Sequence, residues 1–596
     1  MGFFGNERAL MTKLLALLIL LAGGLVQVRV QSADSPSNAS ETEFNKRCEE
    51  FIAGYLMWRP QSGTTLGLHQ YDGKLTDYSR PSLDAELARL KRFDEQLATL
   101  DEKPLSPHAH YDLRILQAAI KNEIFQFEDV EGSVKNPMTY AGVLDVNIYI
   151  KRNFAPIEAR ARSIIAIEEQ APKVIAAAKA NLEESLAKPF IETAIEVADG
   201  SADFLSKDLV EALKEVKNEQ LLTEFNAANQ RAIGELRSYV TWLKGEKLPK
   251  AHTHYALGRE KFQKMLRYGE LIDLAPERIL EIGMRELRRE QQVFADTAKK
   301  IDPAKKPIEV FKEIQKDHPS DESLIPDTKK DLEAIRRFVV DHRIVAIPSE
   351  VRARVEETPQ YLRATSFASM DTPGPFEAKA TEAYYYVTPV EKDWSPRQKE
   401  EWLTAFNYYT TDIVTIHEAY PGHYVQFLCL NASPATRLEK IFGSYAFIEG
   451  WAHYCEQMMV DEGFGAGKGD SLQAAKYRLA QSDEALLRLC RLCVSIKTHC
   501  EGMSLDDATK FFEENCYYEH KPAYQEALRG TFDPQYLYYT VGKLEILKLR
   551  RDYQQQEGAS FSLKKFHDEM LRHGAPPIRL LREVMLKNRA AWNEIL

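Results

Sequence analysis

The stretch Leu83-Asp84-Ala85-Glu86-Leu87-Ala88-Arg89-Leu90-Lys91-Arg92-Phe93-Asp94-Glu95-Gln96-Leu97-Ala98-Thr99-Leu100 decides the fold class. Its apolar residues Leu83, Leu87, Leu90, Phe93, Leu97 and Leu100 recur at spacings of three and four, which lines them along one face of an α-helix. The same period returns from Ile157 to Leu186, from Phe204 to Trp242, from Phe262 to Phe294 with an interruption at Ala275-Pro276, and from Leu472 to Ile496. Neither a solenoid-type repeat nor the strand-helix alternation of a doubly wound sheet is present. A mainly α fold is expected.

One segment departs from that period. Phe376 to Val390 (FEAKATEAYYYVTPV) mixes small, charged, aromatic and β-branched residues between the turn signals Thr372-Pro373-Gly374-Pro375 and Pro389. That pattern predicts a strand. It precedes the most informative motif by about thirty residues, so a small β-sheet is expected beside the functional site.

The chain has 596 residues, 44% of them hydrophobic and 28% charged, the balance of a soluble globular protein rather than a disordered or polytopic membrane one. Single cores stop growing well below this length, so two lobes are expected: an N-terminal helical lobe over 45–250 and a C-terminal catalytic region over 251–596. Lys and Arg number 78 against 89 Asp and Glu, a formal net charge of -11. That balance excludes a nucleic-acid partner. Arg8 and Lys13 precede an unbroken apolar run from Leu14 to Leu21 that continues to Val26, which reads as a secretory signal peptide over 1–32, followed by a polar leader over 33–44. An exported protein, periplasmic or secreted, with no stable membrane span after cleavage is expected, and no Cys follows the run to carry a lipid. The seven cysteines are too few for a disulfide-stapled scaffold, and Cys490 and Cys493 fall inside a helical run, where they read as small core residues.

The chemistry lies in Thr415-Ile416-His417-Glu418-Ala419-Tyr420-Pro421-Gly422-His423-Tyr424. A His-Glu dipeptide with a second His shortly after it is the pattern of a zinc hydrolase, in which the two imidazoles hold the ion and the glutamate takes a proton from water. In the usual form the histidines are four apart. Here they are six apart, which on an ideal helix turns the second roughly 240° away from the first. Pro421 has no N–H for the carbonyl four residues earlier, and Gly422 tolerates unusual backbone angles, so a local break is expected to return His423 to the side of His417. A third ligand leaves one open position on the ion. Downstream, Glu449, His453 and Glu456 share one helical face, and Glu449 would complete a two-His, one-Glu set.

The combination HEAYPGH with EGWA resembles the DUF885 family, whose pattern reads roughly HEAxPGHxxQ followed by EGWAxYxE. His417, Glu418, Pro421, Gly422, His423, Gln426, Glu449, Gly450, Trp451, Ala452, Tyr454 and Glu456 stand at those places. A third family element resembles PGQAxSYxxG before a helix containing LR; the run Asp533 to Gly542, then Leu549-Arg550, matches it at Gln535, Tyr539 and Gly542. The resemblance implies a mainly α, two-lobed metallopeptidase-like protein enclosing a channel, with Zn²⁺ on His417, His423 and Glu449, Glu418 as base, and Tyr539 as donor to the oxyanion, with Tyr538 and Arg529 as the other candidates. His453 departs from the family pattern and competes with Glu449 as a ligand or supports one from outside. The implied activity is hydrolysis of peptide bonds in short peptides. A non-catalytic metal- or peptide-binding protein and a hydrolase of another amide are the alternatives. Trp451 and Tyr454 read as packing around the site, Asp412 as a helix-start acid or a support for an imidazole, and His499, His520, His567 and His573 as surface or satisfied core residues.

Overall fold

In the computed structural model, which describes residues 39–359, 363, 367–467 and 469–596, the helical stripes become helices. The expected signal peptide at 1–32 lies outside the described residues. Helix α1 (Ala39–Trp58) begins inside the polar leader, because Phe44, Cys48, Phe51 and Ile52 form a buried stripe that carries the preceding turn with it. The Leu83 stripe forms α2 (Arg80–Ala98), with Leu83, Leu90 and Leu97 buried. It is followed by α3 (Pro107–Phe125), where Ser106 caps the first turn by accepting the Ala109 N–H. The next stripe gives α4 (Ile157–Glu168) and α5 (Ala171–Asn181), the following one gives α7 (Glu219–Trp242), and between them lies α6 (Lys188–Ser206), most of which precedes the stripe that starts at Phe204. The interruption at Ala275-Pro276 separates α8 (Arg259–Glu270) from α9 (Pro276–Ile301), which Pro276 opens from the position where a missing N–H is harmless. Helix α10 (Leu324–Asp341) follows.

A three-stranded sheet interrupts the helices. Its strands are β1 (Arg354–Glu357), β2 (Ala368–Asp371) and β3 (Tyr384–Val387), in the order β1-β3-β2, with β1 parallel and β2 antiparallel to β3. Of the segment Phe376 to Val390, only Tyr384–Val387 is strand. The part before it is held elsewhere: Phe376 N–H donates to Leu66 O at 3.0 Å, and the Glu377 backbone lies so close to Gly67 that a Cβ there would approach to 2.3 Å.

The C-terminal part is built from α11 (Tyr408–Glu418), α12 (His423–Ala432), α13 (Tyr445–Asp461), α14 (Ser471–Glu501), α15 (Leu505–Cys516), α16 (His520–Phe532) and α17 (Tyr538–Glu557). Long α14 packs along α9, and α13 packs along α17. These helices share one apolar cluster with β1 and β3, while the N-terminal helices feed two further clusters. Cys490 and Cys493 are fully buried in α14, and all seven cysteines are unpaired. The sheet stands against α11, where Tyr385 and Thr415 hydroxyls meet at 3.1 Å.

Candidate metal centre

His417 and Glu418 are the last two residues of α11, and His423 is the first of α12. The six-residue spacing is therefore spanned by a break between two helices. The Gly422 N–H reaches back to the Ile416 carbonyl at 3.0 Å. So tight is the return that a Cβ on Gly422 would stand 1.8 Å from the His417 carbonyl oxygen, which only glycine avoids. Trp451 closes the break from α13 by donating its indole N–H to Pro421 O at 2.9 Å. The result is two imidazoles with centres 4.8 Å apart and planes at 90°.

Glu449 approaches from the second turn of α13. Its Oε2 lies 3.5 Å from His417 Nε2 and 3.5 Å from His423 Nε2, and it is buried without a hydrogen-bond partner. One ring supplies the contrast: His417 Nδ1 sits 2.7 Å from Glu456 Oε1, an ordinary charge-assisted hydrogen bond, while its Nε2 stands off from the Glu449 carboxylate. Two ligands of a tetrahedral zinc ion, at about 2.0–2.2 Å each, are separated by roughly 3.3–3.6 Å. The carboxylate stands at this separation from both imidazoles, and the three ligand atoms lie within 4.8 Å of one another, a set that fits Zn²⁺ and leaves a fourth position. Burial alone would raise the Glu449 carboxyl and lower His417. Instead His423 and His417 hold Glu449 well below the usual carboxylate range, and Glu449 and Glu456 hold His417 up at about 10. A divalent ion held by these three residues would supply positive charge in place of imidazole protons.

Glu456, which the sequence placed on the face of Glu449 without a role, fixes His417. It is fully buried, and its Oε2 accepts from His453 Nδ1 at 3.0 Å while Arg488 Nη2 lies 3.4 Å from Oε1. His453 therefore shares the supporting carboxylate and turns its Nε2 toward Lys543 Nζ at 3.5 Å, away from the three grouped ligand atoms. Trp451 and Tyr454 are buried behind the site. Asp412 supports no imidazole; it is buried within α11 and accepts the Tyr477 hydroxyl at 2.6 Å. His499 and His567 are satisfied in the core by Gly530 O and Ile344 O, and His520 and His573 pair with Glu513 and Glu569. A second group, His108, Asp112 and Glu439, satisfies the same distances, but Thr436 engages both of its carboxyls.

Glu418 and His417 open onto a cleft of about 850 Å³ that Arg491, Arg529 and Tyr539 also line. Glu418 Oε2 accepts the Met370 N–H at 3.1 Å, which ties it to β2. Tyr539 comes from the first turn of α17, with its ring 6.3 Å from that of His417 and inclined by 19°. Gly450 and Gly542 let α13 and α17 touch here: a Cβ on Gly542 would meet the Ala446 carbonyl oxygen at 1.8 Å, and one on Gly450 would meet Gly542 at 2.5 Å. Burial, with the Glu449 charge, raises the Tyr539 phenol and keeps its proton. Tyr538, one helical step away, is buried on the other side with its hydroxyl on Met265 O at 3.3 Å. Arg529 faces the cleft, held by Asp533 and Tyr445.

The family model described as "Bacterial protein of unknown function (DUF885)" matches residues 60–585. The chain belongs to the DUF885 family. The match covers the helices from α2 onward as well as the motifs around the candidate metal centre. Two solved structures are similar to this DUF885 protein. A proposed lipoprotein of unknown function from Shewanella oneidensis is 24% identical with a TM-score of 0.75, over 91% of this chain and 100% of that one. A proposed lipoprotein from Colwellia psychrerythraea is 18% identical with a TM-score of 0.76, over 93% and 99%. They share the fold. No curated protein matches the chain, and no helix among the described residues is long and apolar enough to cross a membrane.

Proposed function

We propose that this DUF885 protein is an exported zinc-dependent peptidase that hydrolyses peptide bonds in short peptides. The observation that carries the reading is the Glu449 oxygen, buried and unbonded, equidistant at 3.5 Å from two imidazole nitrogens. His417, His423 and Glu449 would hold the ion, and a zinc ion bound there would supply Lewis acidity. Glu418 takes the proton from the attacking water and passes it to the departing nitrogen, so that water and an amide become a carboxylate and an amine. The Met370 N–H holds that carboxylate in place. Tyr539 keeps its phenolic proton and donates it as a hydrogen bond to the oxygen that gains charge.

A peptide substrate is favoured by β2. It is an edge strand whose partner β3 occupies one side, and Met370 N–H points from the other side to Glu418. Ala368 faces the same open edge and lines the cleft, so an extended peptide has a backbone to pair with beside the base. The apolar leader supports export. The test is zinc analysis of the purified protein together with cleavage of a broad peptide library by the unsubstituted protein and by Glu418→Gln. Stoichiometric zinc with cleavage that falls by about 10²–10⁴-fold in Glu418→Gln is expected. Stoichiometric zinc without cleavage of any peptide would overturn the enzyme reading and leave a binding protein; no zinc at all would overturn the metal centre.

A further inference from the structure

Three guanidinium groups surround Tyr539 in the wall of the cleft. Cζ of Arg491 lies 5.1 Å from its ring centre, and Cζ of Arg488 and of Arg529 lie 5.9 Å from it. Arg488 is committed to the metal centre and its surroundings, through Glu456 and Glu484. Arg491 and Arg529 are not. Arg491 is held by Glu526 through Nε and Nη2 at 2.7 and 2.8 Å. Arg529 is held by Asp533 through Nε at 3.0 Å and by Tyr445 through Nη2 at 3.1 Å. In both, the contacts to the holding carboxylate run through Nε and Nη2, Arg529 also bonds the Tyr539 side chain, and both residues line the cleft. Asp483, which also lines the cleft, is raised well above the usual carboxylate range by burial and the Glu484 charge.

Two arginines on one wall of the cleft, both beside Tyr539, match a carboxylate, whose two oxygens accept from guanidinium groups better than any neutral group does. Their distance from the chemistry is short. The Tyr539 ring that they flank lies 6.3 Å from the ring of His417, which limits the gap to about three residues of extended peptide at roughly 3.3–3.6 Å each. We propose that Arg491 and Arg529 bind the free C-terminal carboxylate of the substrate, so that the protein removes a short piece from the C-terminal end of peptides. This rests on the peptidase reading above. An acidic side chain offers the same carboxylate, and the test separates the two sources.

The zinc-loaded Glu418→Gln protein is titrated calorimetrically with three peptides of one sequence: the free acid, its C-terminal amide, and the amide with Asp as the last residue. The free acid is expected to bind about 10- to 100-fold more tightly than either amide. Arg529, whose side chain is 33% exposed, is the substitution that tests the pair: Arg529→Ala is expected to remove most of that difference, and Arg529→Lys to restore part of it. Equal affinity for acid and amide would overturn the proposal, as would an Asp-bearing amide that binds as tightly as the free acid. The comparison of acid with amide needs no arginine variant. It also needs no turnover, so a failure of the peptidase reading in the cleavage assay is seen separately from a failure here.

Discussion

Replacing Glu456 by Gln removes one charge and keeps the shape. In the folded protein its Oε1 receives His417 Nδ1 at 2.7 Å, its Oε2 receives His453 Nδ1 at 3.0 Å, and Arg488 lies 3.4 Å from Oε1. A carboxylate behind a ligand imidazole fixes the tautomer that presents Nε2 to the metal and raises the basicity of that nitrogen; removing such a partner typically weakens metal binding by 10–100-fold. At about 1.4 kcal/mol per tenfold, that is about 1.4–2.8 kcal/mol of zinc affinity. Glutamine retains one oxygen for His417 but presents an amide N–H₂ to His453, and it no longer offsets the buried Arg488. Stability without metal should fall as well, by about 3 kcal/mol, the lower end for breaking a buried ion pair. Competition against a chromophoric zinc chelator gives the affinity, and thermal melting in the presence of chelator gives the stability. A loss of stability with zinc affinity unchanged would refute the reasoning, because it would make Glu456 a packing residue that leaves His417 indifferent.

Gly422→Ala places a methyl 1.8 Å from the His417 carbonyl, so the break must open; a loss of about 1–3 kcal/mol in chelator-treated melts and a drop in zinc content are expected, and unchanged zinc binding would refute the role of the break. Gly542→Ala forces α17 away from α13, where a Cβ would meet the Ala446 carbonyl oxygen at 1.8 Å. Its expected signature is retained zinc with at least tenfold slower peptide cleavage, about 1.4 kcal/mol of transition-state stabilisation, read from metal analysis and kcat/KM on one preparation. For Asp412, burial and the Asp331 charge raise the carboxyl from 3.8 to about 8. The folded protein then holds a proton that the unfolded chain releases, so this contribution to stability is present below pH 3.8 and is lost as the pH rises toward 8. Asp412→Asn keeps an acceptor for Tyr477 and removes that slope, so its melting temperature should gain on the unsubstituted protein between about pH 4 and about pH 8; parallel curves would count against it.

The helices were legible because each buries a stripe whose period survives in the sequence, as in α2 and α14. The sheet was only partly so. Strands β1 and β2 are four residues each, and every residue of β2 is half-buried, so neither presents an alternation to read. The grouping of His417, His423 and Glu449 was legible because the His-Glu pair and the later Glu449 are signals carried in sequence order, and the Pro-Gly pair announced the break. Glu456 showed only a spacing of seven from Glu449; that it serves His417 depends on how α13 crosses α11. Arg491 and Arg529 had no local signal of a shared site, since they come from different helices and meet only around the ring of Tyr539.

The parts of this site are positioned by backbone contacts more than by side-chain packing. The turn at Gly422 sets His423 against His417, and the crossing at Gly450 and Gly542 sets Glu449 opposite Tyr539. Backbones that touch have no side chain to rearrange between them, so these separations are fixed to the tolerance of atomic contact. Side chains then refine what the backbone places: Glu456 sets the His417 ring, and Met370 N–H sets Glu418. A metal centre and a proton-transfer group both lose function when displaced by an ångström or so. The glycines of HEAYPGH and EGWA therefore place the candidate site as much as the histidines and glutamates beside them compose it, because a larger residue at either position would push apart the backbones that hold these groups at their distances.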